Sequence, residues 1–432
     1  MASILSLPPE TIYEIGLQLE SSDNRNLRLT CHQICVAVES LALSKLFIDI
    51  NKDSLHVTLG QLKEFATRST RSIDYIRTVV VYNSLKSDQE HRDGHSPDIP
   101  LFAEDIQTLH SHFSSLVTSN VRSLLWFTNP ADSGQFMNIV IQYATRQCIT
   151  DFSLDLTAGC HPLFPVALLS MQNLEKLHYK TTSKLNRNLL FMMSRALSKV
   201  IRRSPHLSHL AIDTGHFLAS TDAPSLHDIL PAISEEPPIP MKTLSLRNLR
   251  TLLDESTLHH LRSLESLSIH FNLPTPTNGS LMPQIWNTLR TESIHLTRVD
   301  VNLTDVDDAF LDYLLSCKDL RELILDNSAR LWSRNQLNAV GHRFFGEVLP
   351  KISGPLEVLH IETICLGAWC FGELNASAIA QCKELRELTV SIVDTIQIHS
   401  QATLVLLDQT TSQLPKLHYL RKVDVSTVPQ IG

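Results

Sequence analysis

Twenty histidines and forty-five aspartates and glutamates run through this chain. Imidazoles and carboxylates are the raw material of acid–base pairs and metal centres, and both kinds of chemistry need a particular spacing. Cys31 and Cys35 stand four apart on a predicted helix and so share a face, as a metal pair would. No second His or Cys pair at ligand spacing completes a tetrahedral set beside them, and the same holds for Cys365 and Cys370. These cysteines therefore read as buried, reduced thiols. His259 and His260 adjoin, so on a helix they point about 100° apart and do not converge on one ion; an exposed pair is expected. Asp305, Asp307 and Asp308 precede the apolar run Ala309–Leu315, where carboxylates accept from unpaired first-turn amides, and they are expected to cap a helix. The chain has no Gly-x-Ser-x-Gly elbow, no phosphate loop ending in Gly-Lys-Ser/Thr and no His-Glu-x-x-His helix. The expectation is a chain without catalytic residues, metal or cofactor. A hydrolase or transferase site assembled from distant residues stays open as an alternative.

The elements that would position such residues repeat. From about residue 76 onward, segments of the form apolar-x-x-apolar-x-apolar recur, each matching one strand with alternate side chains turned inward. The clearest are Leu207/Leu210/Ile212, Leu264/Leu267/Ile269, Leu320/Leu323/Leu325, Leu356/Leu359/Ile361 and Leu385/Leu388/Val390. Met241/Leu244/Leu246 and Leu174/Leu177/Tyr179 are further copies. Weaker ones are Ile76/Val79/Val81, Val121/Leu124/Trp126, Ile149/Phe152/Leu154, Leu296/Val299/Val301 and Leu420/Val423/Val425. Between them the period turns helical, as at Leu189, Leu190, Met193, Leu197, Val200 and Ile201, and again at Ala309, Phe310, Tyr313 and Leu314. The interval of roughly 23 to 45 residues accommodates a helix and two turns, so the pattern predicts α/β architecture with parallel strands and outer helices. Three polar or proline-rich segments, residues 84–100, Glu235–Pro240 and Pro274–Gly279, read as surface loops. A doubly wound sheet is the alternative; a nucleotide-binding version would show a Gly-rich turn, and no such cluster exists among the 13 glycines.

The N-terminus has a different pattern. Pro8 and Pro9 stand at a helix start, where a missing N–H loses nothing, and Ile12, Ile15 and Leu19 follow at helical steps. After the polar break Glu20–Asn24, the residues Leu27, Thr30, Cys31 and Ile34 repeat the spacing, and a third short helix is expected over Val36–Leu43. A segment this small buries too little surface to be stable alone. It needs either a partner or a larger domain to cap.

Leu7-Pro8-Pro9-Glu10, the first amphipathic helix, Asn26-Leu27-Arg28-Leu29-Thr30-Cys31 and Leu46-Phe47 together resemble an F-box, and the repeats resemble the irregular leucine-rich repeats found in fungal-type F-box substrate receptors. Asn24 stands where that family usually has leucine, and Gly16 lowers the helix propensity of the first helix. The strand-following asparagine of regular leucine-rich repeats is clear only at Asn272. The resemblance implies a substrate-recognition subunit of an SCF-type cullin-RING ubiquitin ligase. Its F-box would bind a Skp-type adaptor, and through it the cullin scaffold, by Leu7, Pro8, Ile15, Leu19, Leu27 and Leu29. Its repeats would hold an unidentified target protein on their outward strand residues: His178, Asp213, Arg247, His270, Asn302, Asp326, Glu362, Ser391 and Asp424. The organisation read from sequence is an F-box over 1–48, a connector and first repeat over 49–115, and a repeat domain over 116–432. A ligase-independent interaction scaffold is the rival reading.

Composition agrees with a protein partner. With 37 basic against 45 acidic side chains and a net charge of −8, the chain lacks the concentrated Lys and Arg that a phosphate-binding surface uses, so nucleic acid is not expected. Eight scattered cysteines, no signal-type N-terminus and no long apolar span predict a reducing setting, cytoplasm or nucleus, with no membrane contact.

Overall fold

In the computed structural model, all twelve aliphatic segments lie on strands. The structure describes residues 4, 7–50, 55–67, 74–82, 103–115, 120–128, 132, 134–156, 164–181, 187–215, 224–230, 237–271, 281–326, 334–364, 366–394 and 399–426. The loops at 84–100 and Pro274–Gly279, together with Asn272, Cys365 and the first two residues of Glu235–Pro240, lie outside them. The chain divides into two units, Met1–Leu207 and Ser208–Gly432.

The first unit opens with three helices, α1 (Pro9–Leu17), α2 (Ser21–Arg28) and α3 (His32–Ala42). Five parallel strands follow, β1 (Lys45–Asp49), β2 (Thr78–Tyr82), β3 (Ser123–Phe127), β4 (Asp151–Leu156) and β5 (Lys176–Thr181), paired in chain order. The second unit holds β6 (His209–Asp213), β7 (Thr243–Arg247), β8 (Ser266–His270), β9 (Arg298–Asn302), β10 (Glu322–Asp326), β11 (Val358–Glu362), β12 (Glu387–Asp394) and β13 (Tyr419–Ser426), again parallel and in order. Helices connect successive strands in both units, which is the α/β alternation that the repeat predicts.

Register explains the regularity. In the first unit Leu46, Val79, Leu124, Phe152 and Leu177 stand side by side, and Ile48, Val81, Trp126, Leu154 and Tyr179 form a second row. Every one of them is buried. In the second unit the rows run from Leu210 through Leu244, Leu267, Val299, Leu323 and Leu359 to Leu388, and from Ile212 through Leu246, Ile269, Val301, Leu325 and Ile361 to Val390. A slip of one residue in any coil would turn its aliphatic pair to the other face, so the pattern pins the register. Just before each strand a backbone ladder adds to this. In the second unit the amides of Lys242, Glu265, Thr297, Arg321, Glu357, Arg386 and His418 each donate to the equivalent carbonyl one coil earlier, at 2.7–3.0 Å.

The helices cover these rows with aromatic side chains. Trp286, in the helix Leu281–Thr291, meets Phe310 at 4.8 Å between ring centroids and Tyr313 at 5.3 Å, both from the helix Asp308–Ser316. The Tyr313 hydroxyl donates to the Ile294 carbonyl and accepts from the Leu296 amide, so its polar end is satisfied inside the core. Near the helix Arg334–Arg343, Gly367 holds φ +152° and packs so closely that a Cβ there would lie 2.1 Å from Asn338 Oδ1. Gly367→Ala is therefore expected to destabilise the second unit by roughly 1–3 kcal/mol in urea unfolding, through both the backbone conformation and the displaced Asn338, whose Oδ1 accepts from the Ala368 amide.

The structure corrects three local expectations. The periodic run Leu27–Ile34 is two helices, since the chain breaks at Leu29–Cys31 with Cys31 extended at φ −162° before α3 begins. Residues 45–49 form β1, so the domain boundary expected at 48 falls inside a strand. In the last coil Leu420, not Val423, is level with Leu388, and Lys422 takes the place that Val390 fills one coil earlier. The copy there is Leu417/Leu420/Lys422, which Val423 and Val425 obscure in sequence.

Candidate functional site

The N-terminal helices fold around a small core of Ile12, Ile34 and Val38, against which Leu7, Leu27, Cys31 and Ala37 pack. Pro9 occupies the first position of α1, and the Pro8 carbonyl accepts from the amides of Thr11 and Ile12. Gly16 does more than lower helix propensity. It is buried where α1 meets α3, and a Cβ there would lie 2.9 Å from Leu41 Cδ1 and 3.0 Å from Asn24 Oδ1. Asn24, buried, donates from Nδ2 to the Gly16 carbonyl at 2.8 Å. Gly16 and Asn24 thus form one close, hydrogen-bonded crossing in place of the apolar contact that leucine would give.

The residues named for adaptor contact separate into two groups. Leu7 and Leu27 are half-buried in the core of the helical segment, whereas Pro8, Ile15, Leu19 and Leu29 are exposed, Leu29 at 78 %. Ile12 and Ile15 do not share a face as expected, since Ile12 is fully buried. Tyr13, Leu17 and Val36 extend the exposed set. Among the described residues, seven of the seventeen large exposed hydrophobic side chains fall between Ile4 and Val36, far more than the share of chain there. Single exposed apolar residues need no explanation, but a concentration of them marks an interaction surface.

The strand-end row divides in the same way. His178, Arg247 and Asp424 are exposed, and Asp213, Asp326 and Glu362 are half-buried. His270, Asn302 and Ser391 are buried at 6 %, 0 % and 0 %, which corrects their assignment to an outward surface. His270 and Asn302 end β8 and β9 and Ser391 lies within β12, and their short polar side chains staple one coil to the next. Asn302 Nδ2 donates to the Phe271 carbonyl at 2.9 Å, and Ser391 Oγ accepts from the Thr363 amide at 2.8 Å. Asn302 therefore supplies the inter-coil bond that the sequence suggested only for Asn272. Register also moves two residues out of the row: His178 pairs with Ser153, one pleat early, and Asp424 pairs with Ile392. An ion pair from Arg421 to Glu362 at 3.5 Å and one from Arg298 to Glu322 at 2.5 Å cross this face.

Among the described residues three imidazoles lie near a carboxylate; His360 Nε2 is 3.7 Å from Glu387 Oε2, and the other two sit in tighter clusters with a serine. His227 Nδ1 lies 2.6 Å from Asp254 Oδ2 and 3.2 Å from Ser256 Oγ. Both partners face the same nitrogen, so Ser256 is not placed to pass a proton across the ring. His270 Nε2 lies 2.8 Å from Asp300 Oδ1, and the other Asp300 oxygen accepts from Ser268 Oγ at 3.1 Å. Here the serine is bound to the acid, away from the base. Asp305 belongs to this second cluster, accepting weakly from Asn302 Nδ2 at 3.3 Å, and burial pushes its carboxyl up to about 6. It does not cap the following helix; Asp307 does, accepting from the Phe310 amide at 2.8 Å, and Asp308 in the first turn pairs with Arg343 at 2.6 Å. His260, expected on the surface, is 1 % exposed and accepts from the Ile239 amide at 3.1 Å.

Sequence reading missed Asp300. Aligning Leu267-x-Ile269-His270 with Val299-Asp300-Val301-Asn302 would have set His270 beside Asn302 and one pleat from Asp300. Among the described residues no group of three or more His, Cys, Asp or Glu side chains is arranged to hold a metal ion. No described helix is long and apolar enough to cross a membrane. Compared with known proteins, the chain matches no protein-family model and no curated sequence.

Proposed function

We propose that this chain is the substrate-recognition subunit of an SCF-type cullin-RING E3 ubiquitin ligase, binding a Skp-type adaptor through α1–α3 and a target protein through the repeat strands. The observation that carries the reading is the concentration of exposed apolar side chains on the helical segment, Ile15, Leu17, Leu19, Leu29 and Val36, beside a small core centred on Ile12, Ile34 and Val38. Burying that surface on a partner gains about 25 cal/mol for each Å² of apolar area removed from water. The ligase chemistry belongs to the other subunits. This chain contributes proximity, holding a target lysine near the transferring enzyme, and the reading places it in the cytoplasm or nucleus. Target contact falls to the strand-end residues that remain exposed or half-exposed: Asp213, Arg247, Asp326, Glu362 and, in flanking rows, His178 and Asp424.

A second reading, a ligase-independent repeat scaffold, draws on β1. The helical segment runs directly into the sheet, and Arg25 of α2 lies 4.8 Å over the ring of Phe47 on β1, as a cap on the first strand would. Co-purification of the full chain with a Skp-type adaptor separates the two. A stoichiometric complex that persists through size-exclusion chromatography is the expected result; a folded, soluble chain that captures no adaptor would leave the scaffold reading.

A further inference from the structure

The cluster around His270 is built so that its ring is complete only with two protons. Nδ1 faces Asn302 Oδ1 at 3.0 Å, and Nε2 faces Asp300 Oδ1 at 2.8 Å. The Asn302 amide cannot be turned to offer a donor instead, because its other end meets two acceptors, the Phe271 carbonyl at 2.9 Å and Asp305 Oδ2 at 3.3 Å. Asp300 is an acceptor at both oxygens, one toward the ring and one toward Ser268. A neutral imidazole carries one N–H, so it would set a nitrogen lone pair against an oxygen lone pair on one side or the other. The imidazolium satisfies both.

We infer that His270 is a proton-operated latch between the β8 and β9 coils, closed as the imidazolium that bridges Asn302 to Asp300 and released on one side as the neutral ring. The latch reaches the backbone, because the same Asn302 side chain holds the carbonyl of Phe271, where the chain leaves β8. The charged groups that face it are Asp300 on β9, Asp305 in the turn after it, which faces the ring with Asp307 behind, and Arg247 on β7. The two carboxylates beside the ring favour its cation, and Arg247 opposes it. Burial by itself lowers the affinity of His270 for its second proton, but the hydrogen bonds and charge of Asp300, with the Asn302 bond, outweigh burial and set it above the ordinary histidine value of 6.5. The contribution to stability is thus complete below about pH 6.5 and is lost as pH rises through the folded-state value. This device stands apart from any ligase partner and survives the failure of that reading.

Histidine-selective ¹⁵N labelling of the full chain tests it, with His270→Gln to assign the resonance and Asp300→Asn as the second variant. A pH titration of long-range ¹H–¹⁵N spectra should show both His270 nitrogens protonated below a midpoint that lies above the ordinary histidine value of 6.5. Asp300→Asn should lower the midpoint by about 1 unit or more, the effect of one close opposite charge. Hydrogen exchange, corrected for its intrinsic pH dependence, should lose protection about tenfold or more in residues 266–271 and 298–302 once the ring deprotonates, while the β11 and β12 amides stay protected. A midpoint at or below 6.5, or one that Asp300→Asn leaves in place, overturns the latch. Should the assignment variant fail to fold, the one histidine midpoint that moves in Asp300→Asn identifies the resonance, and no moved midpoint overturns the latch.

Discussion

Replacing Leu29 by aspartate is expected to weaken adaptor binding about thirtyfold or more, close to 2 kcal/mol, with the thermal stability of the chain almost unmoved. Leu29 sits at the C-cap of α2, 78 % exposed. It makes too little contact within the fold for a surface substitution there to change stability by more than about 0.5 kcal/mol. In a complex the same position would be covered, and a carboxylate buried without a partner disfavours association strongly. Leu27→Asp makes the informative contrast. Leu27 packs against Ile12, Ile34 and Val38, so its substitution should unfold the helical segment and abolish binding indirectly. Titration calorimetry paired with thermal melts distinguishes the two variants. Full affinity in folded Leu29→Asp would remove this surface from the docking assignment.

The other large effect belongs to Asn302. Asn302→Ala removes the acceptor for His270 Nδ1 and the donor for the Phe271 carbonyl, both in a place closed to water. Each buried group left unpaired costs about 1–3 kcal/mol, so a loss of roughly 2–4 kcal/mol is expected for the second unit. Urea unfolding measures it, with Trp286 reporting on the second unit and Trp126 on the first. A midpoint shift confined to the Trp286 signal is the outcome that fits a staple between two coils. A loss below about 0.5 kcal/mol would mean that water replaces the amide without penalty.

The period-two rows of Leu, Ile and Val announce the strands because burial on one face of a sheet tolerates no other register. The helix faces at Leu189–Ile201 and at Phe310–Leu314 were legible for the same reason: Leu189, Leu197, Phe310 and Leu314 are all buried as their spacing requires. What escaped lies where the period ends. β1 is hidden because Leu46 and Ile48 follow a helix with only Leu43 and Ser44 between, and a single aliphatic pair has no preceding copy to align with. The outward row was misjudged because whether the polar residue after an aliphatic one is covered depends on bonds to the neighbouring coil, as from Asn302 to the Phe271 carbonyl and from the Thr363 amide to Ser391, that no local period shows. His270, Asn302 and Ser391 turned inward; Arg247 did not. For the adaptor surface, helical spacing identified apolar residues but could not sort Leu27, which closes a core, from Leu29, which faces water. Two residues apart on one short helix end, they differ only in the direction that α3 takes after them.

The short passage from α3 into β1 has a mechanical meaning. A flexible linker lets a docked protein sample a cloud of positions, and the effective concentration of whatever it carries is diluted over that volume. Here α3 ends at Ala42 and the sheet begins at Lys45, with the amides of Arg77 and Thr78 already bonded to the Ser44 carbonyl at 2.8 and 3.0 Å. No slack remains at that joint. Whatever seats on the helices is aimed by β1–β5 as a handle aims a tool, and lengthening the joint by a few glycines would blunt the aim without touching either surface.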